Sequence, residues 1–175
     1  MANTYELIDD YEVGSGGVAY IEFTSIPATY TDLVLKLSLR TGRSDTTDPV
    51  MMWINGQTTG TNYQYKSIWN SGTGAVDAYS NGGTSNFEIQ YATANNSNAN
   101  FFNNHETYFV DYAGSGNKLG LAQGIHQQFD AASYMVIMSY QWAVSSAINS
   151  IKIQSGYSAN LLQYSSAYLY GIKKN

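Results

Sequence analysis

His105 and His126 are the only imidazoles in the chain, and no His-x-His or His-x-x-x-His spacing joins them. A histidine metal centre needs two or three ligands converging on one point, so this spacing argues against one. The chain has no cysteine, which removes thiolate metal sites, iron–sulfur clusters, disulfides and cysteine nucleophiles together. A serine triad would need one of the two histidines beside an activated serine, and the sequence holds no Gly-x-Ser-x-Gly elbow. Glu22, Glu88, Glu106 and Asp111 are the carboxylates that could pair for glycoside hydrolysis, but nothing in their spacing brings any two together. Asp9-Asp10 and the pair Asp45 and Asp48 offer oxygen ligands for calcium; neither matches a calcium loop, and both read as solvated turns. Gly14-Ser15-Gly16-Gly17 leads into a strand, so it lacks the helix N-terminus that would meet a phosphate. These residues point to no enzyme, no metal and no cofactor.

What remains is surface chemistry. Trp53, Trp69 and Trp142, among 16 tyrosines, could stack on sugars, meet another subunit or fill a core. Asn95-Asn96-Ser97-Asn98-Ala99-Asn100, continuing to Asn103-Asn104, is a polar tract without period and reads as a long surface loop. Abundant Tyr, Asn and Ser with only 12% charged residues is the composition of a contact surface.

The elements that must carry this surface are strands. At 175 residues the chain fits one domain, spanning residues 1–175, and can bury roughly 70% of its unfolded surface. A hydrophobic fraction of 43% suffices for a core. Eight basic against 13 acidic residues give a charge of -5, which argues against nucleic acid held by its phosphates. No apolar run approaches a membrane span, and the opening residues lack a signal peptide, so the expectation is a product made in the cytoplasm.

Period-two alternation is the strongest signal. Leu33, Leu35, Leu37 and Leu39 alternate with Val34, Lys36, Ser38 and Arg40, a half-buried strand with its leucines inward. Ala19, Ile21 and Phe23 alternate with Val18, Tyr20 and Glu22, and Pro27 closes that strand. Further strands are expected over 50–54, 63–69, 86–92, 107–112, 118–125, 135–141, 148–154 and 167–172. Asn55-Gly56, Ser71-Gly72, Asn81-Gly82-Gly83, Gly114-Ser115-Gly116-Asn117 and Ser155-Gly156 reach positive φ cheaply and read as hairpin turns between them. The pattern predicts an all-β, jelly-roll-like antiparallel β-sandwich of eight or more strands.

Thr4-Tyr5-Glu6-Leu7-Ile8 and the run from Val18 through Pro27 to Leu35 resemble the opening of tailed-bacteriophage virion structural proteins of the tail-fibre, minor structural and capsid decoration type. Ser146 to Ile153 and Tyr168-Leu169-Tyr170-Gly171-Ile172 resemble that family's closing strands, while the middle, from about Gly42 to Ala132, is not diagnostic. The resemblance implies a β-sandwich on the particle surface, commonly trimeric, whose partners are the major capsid protein or other virion proteins. The first strand begins within a few residues of Met1 with no heptads before it. That favours a non-enzymatic capsid decoration or cement protein over a shaft-borne fibre tip. Tyr5, Leu7, Ile8, Tyr11, Lys173 and Lys174 are then the interface candidates. The alternative is a tail-fibre or receptor-binding module, with Trp53, Trp69, Asn95, Asn96 and Trp142 touching host-surface glycans. A free carbohydrate-binding domain is a third, non-viral reading.

Overall fold

Leucine alternation along residues 33–39 becomes a strand whose Leu33, Leu35 and Leu37 are fully buried and whose Lys36 is exposed. Each buried leucine is worth roughly 1.5–3 kcal/mol over an exposed one, so this register is strongly fixed. The computed structural model describes residues 4–70, 75–128 and 132–173. Among them lie twelve strands and no helix: β1 (Tyr5–Glu12), β2 (Tyr20–Phe23), β3 (Asp32–Ser38), β4 (Thr47–Ile54), β5 (Tyr63–Asn70), β6 (Val76–Thr84), β7 (Phe87–Thr93), β8 (Asn104–Val110), β9 (Lys118–Gln128), β10 (Ala132–Trp142), β11 (Ile151–Ser155) and β12 (Ser166–Ile172).

The strands form two antiparallel sheets. The large sheet runs β1-β12-β3-β8-β9-β10-β5-β6 and the small one β2-β11-β4-β7. Only the connections β5–β6, β8–β9 and β9–β10 stay within a sheet; every other one crosses between sheets. The fold is an all-β, antiparallel, jelly-roll-like sandwich, as the alternation requires. Ile21, Phe23, Met52, Ile54, Phe87, Ile89, Ile151 and Ile153 of the small sheet pack on Leu33, Leu35, Leu37, Phe109, Tyr140 and Leu169 of the large one. Tyr63 sits edge-on to Phe87 at 4.8 Å, and its buried hydroxyl accepts from Ile54 N and donates to the Gln57 carbonyl, each at 2.9 Å.

Several turns differ from expectation. Asn55 (φ 52°) and Gly56 (φ 65°) carry the chain from the small sheet to the large one rather than closing a hairpin. The Asn55 side chain ties this crossing down, accepting from Asn149 and Ser150 and donating to Ala147. Ser155-Gly156 also marks a change of sheet. Asn81-Gly82-Gly83 lies inside β6, where a register shift at Tyr63/Gln64 absorbs the positive φ of Gly83. Gly114 to Asn117 does join the paired strands β8 and β9. The Ser71-Gly72 turn falls outside the described residues.

The Asn-rich tract is not a free loop. Arg40, itself buried, donates to the carbonyls of Asn98 (2.6 Å), Phe101 (3.0 Å) and Ser97 (3.2 Å). The buried Asn103 side chain accepts from Leu39 N at 2.7 Å, and Asn104 begins β8. Only part of the tract, Asn95 and Asn96 included, faces solvent.

Candidate functional site

Two features follow from how β9 is built. Its inner face carries Gly120, Ala122 and Gly124, and its outer face Leu119, Leu121 and Ile125. A Cβ on Gly124 would meet Gln90 Oε1 at 2.0 Å and the Asn104 carbonyl at 2.6 Å, so the small inner residues make room for polar groups from β7 and β8. The large apolar side chains are left outside.

The first feature is therefore an apolar outer face on the large sheet. Register places Ile125 beside Met135, and Ile137 beside Ile68, which in turn neighbours Ala78. Leu121 lies opposite Tyr108, and Leu119 opposite Val110. Leu121 is 61% exposed, Ile125 58% and Ile68 52%. A salt bridge between Lys36 and Glu106 (3.0 Å) and the exposed Lys66 border the face. Gln123 and Ser139 interrupt the face, yet monomeric soluble proteins seldom gather this many exposed aliphatic side chains on one side of a sheet.

The second feature is a cavity of about 550 Å³ lined by residues of β4 to β7, β9 and β10. One wall holds Tyr65 and Tyr79, whose ring centroids are 6.1 Å apart. The facing wall is Tyr91, His126 and Tyr134, with His126 stacked on Tyr134 at 4.6 Å. Trp69 and Glu88 complete it. Burial holds the Glu88 carboxyl above its usual range, partly offset by the hydrogen bonds it takes from Tyr91 and Tyr65. Burial likewise pushes the Tyr65 phenol up to about 12.

Behind the cavity a chain of polar contacts runs inward. Thr107 Oγ1 is 2.8 Å from His105 Nε2, His105 Nδ1 is 2.9 Å from Gln90 Oε1, and Gln90 Nε2 is 3.5 Å from His126 Nδ1. The Gln90 carbonyl can only accept, which assigns the proton of His105 to Nδ1 and leaves Nε2 to accept from Thr107; His126 then accepts at Nδ1. Both rings must be neutral for this. Burial alone enforces that, lowering His105 to about 3 and His126 to about 4. Both rings are therefore locked as neutral hydrogen-bonding groups near pH 7. Among the described residues no group of three or more His, Asp or Glu side chains could hold a metal ion.

The sequence candidates separate. Trp69 lines the cavity. Trp142 is 2% exposed and donates Nε1 to Gln57 Oε1 at 2.7 Å, so it is core and cannot touch a glycan. Trp53 lies on the small sheet beside Lys152, whose ammonium is 5.8 Å from its ring and 4.2 Å from that of Tyr20. Asn95 and Asn96 are exposed but are not part of the cavity wall. Tyr5, Leu7 and Tyr11 are exposed on β1, an edge strand, whereas Ile8 is half-buried against the core at the Leu7/Asp9 register shift. Lys173 is paired with Glu6 and lies 5.6 Å from the Tyr30 ring; Lys174 is outside the described residues. Asp45 pairs with Arg43 at 2.9 Å, and buried Asp48 accepts from Ser155 Oγ at 2.7 Å, so Asp48 is no solvated turn. Asp9 and Asp10 lie within β1. Tyr65, Tyr79, Gln90, Tyr91 and Tyr134 went unmarked by sequence reasoning, because only long-range pairing of β5, β7 and β9 with their neighbours brings them together.

No family model matches the chain, and no curated protein matches it. Among solved structures, a galectin of Caenorhabditis elegans is similar over 91% of this chain and 94% of its own, at 14% identity and a TM-score of 0.39. At that score no residue of one is carried onto the other.

Proposed function

We propose that this chain is a non-enzymatic structural protein of a tailed-bacteriophage virion, a decoration protein that binds the outer capsid and stabilises the head, assembling as a trimer. The observation that carries the reading is the outer face of the large sheet, where Leu119, Leu121, Ile125, Ile68 and Ile137 stand exposed. An apolar centre with few charges suits a protein partner better than nucleic acid or a phospholipid headgroup layer. Weak contacts of this kind gain force when repeated over many copies on one lattice. The resemblance at both chain ends supplies the kind of particle.

Particles lacking the protein should lose resistance to heat and osmotic shock while adsorbing to cells normally. Adding back the wild-type protein should restore resistance, and adding back Leu121→Asp should not. Unchanged resistance with lost adsorption would overturn this reading in favour of receptor recognition.

A further inference from the structure

The aromatic cavity has a charge balance that its own residues leave open. Its ring faces come from Tyr65, Trp69, Tyr79, Tyr91 and Tyr134, and among the described residues its one carboxyl group is Glu88. Among the described residues no lysine or arginine lines it. Arg43, whose charge acts on Tyr91, is bridged to Asp45 at 2.9 Å and lies 3.6 Å over the Tyr157 ring. His126 is neutral, as described above. Among the described residues the cavity is therefore an aromatic pocket holding one carboxyl group and no cationic side chain.

Its hydrogen-bonding groups, in contrast, are largely committed. Gln90 spans His105 and His126. The Tyr65 and Tyr91 hydroxyls donate to Glu88, and Asn81 donates to Tyr65. A polyol such as a sugar needs many free donors and acceptors, and few remain. Ring faces with a carboxylate between them offer what a cation needs: the negative face of each π-system and one full opposite charge, both in a partly desolvated setting. The volume lies within the range of small-molecule pockets.

We propose that this cavity binds a small organic cation, an alkylammonium or quaternary ammonium group, seated on the Tyr65, Trp69, Tyr79 and Tyr134 rings and paired with Glu88. Most of its lining, from Tyr65, Ser67 and Trp69 to Gln90 and His126, lies on the inner side of the large sheet or on β7, away from the Leu119–Leu121 part of the outer face.

The test is a titration of the full chain at pH 7.5, followed by calorimetry and by the fluorescence of Trp69. Choline chloride is compared with 3,3-dimethylbutan-1-ol, which has the same shape without the charge. Choline should bind saturably, and the alcohol at least about tenfold more weakly. Glu88→Gln and Tyr79→Leu should each weaken choline by about tenfold or more while leaving the circular dichroism unchanged. Should Glu88→Gln fail to fold, the half-exposed Tyr79 gives the decisive variant. Equal binding of choline and its neutral analogue, no saturable choline binding at millimolar concentration, or preferential binding of glucose, galactose or lactose would each overturn the proposal.

Discussion

β3 and β9 lie in the same sheet with only β8 between them, and both alternate large aliphatic residues with something else. In β3 the leucines turn inward and Lys36 turns to solvent. In β9 the glycines and Ala122 turn inward and the leucines turn out. Alternation thus fixes that two faces exist, and the partner residues decide which of them is the inside. The leucines of β3 share one core with the aliphatic and aromatic residues of the small sheet, Ile21, Phe23 and Ile153 among them, which need apolar cover. Across from β9 stands Gln90 of β7, hydrogen-bonded to His105 of the adjacent β8, and its amide fills the space a side chain on Gly124 would take. The outer apolar face and the polar chain behind the cavity are two results of one choice.

The widest separation between the strands should come from placing a charge on each. Leu35→Asp buries a carboxylate among aliphatic side chains and should cost more than about 4 kcal/mol, read as loss of the cooperative urea transition. Leu121→Asp should shift the same transition by no more than about 0.5 kcal/mol, leaving a folded protein whose assembly alone is affected. Equal damage at the two positions would erase the contrast.

Acid should distinguish the two regions next. His105 and His126 have folded values, about 3 and about 4, below the ordinary 6.5. Their contribution to stability is thus complete above pH 6.5 and is lost as pH falls toward 4 and then 3, a total on the order of several kcal/mol. Glu88 has the opposite sign, because a raised carboxyl stabilises below 4.5 and loses that contribution as pH rises. Unfolding free energy measured from pH 7 to pH 4 should fall steeply in the wild type. In the double variant His105→Gln/His126→Gln it should fall with a clearly shallower slope. Identical slopes would mean the imidazoles are not the groups that titrate.

The smallest effect is a methyl group. Gly124→Ala forces a Cβ against Gln90 and the Asn104 carbonyl and should cost about 1–3 kcal/mol. The same change at Gly116, where nothing lies within 4 Å, should cost little in comparison. Thermal unfolding of the two variants side by side measures the difference.

Both strands were legible as strands, and charge explains why the inward face of β3 could be read while that of β9 could not. Lys36 and Arg40 flank the leucines of β3 and mark the other side as the one without leucine, although Arg40 itself ends up buried to anchor the 97–101 backbone. Leu119 to Ile125 contains no charge, so both of its faces read as acceptable interiors. β6 was hidden differently, since Asn81-Gly82-Gly83 has the composition of a turn and is held extended only by pairing with β5. Trp142 carried no mark of depth, and its partner Gln57 is 85 residues away. The fold class rests on local periodicity and could be read; the cavity rests on strand order in space, which periodicity does not encode.

That order also sets a timetable for synthesis. β3 needs β12 on one flank and β8 on the other, and β1 pairs with β12 as well. Translation proceeds at about 5–20 residues per second, so the leucines of β3 wait many seconds, exposed to solvent or to a chaperone, before their last neighbour emerges. The large sheet therefore stays open until β12 has been made, and β3 gains its second flank only at that late step.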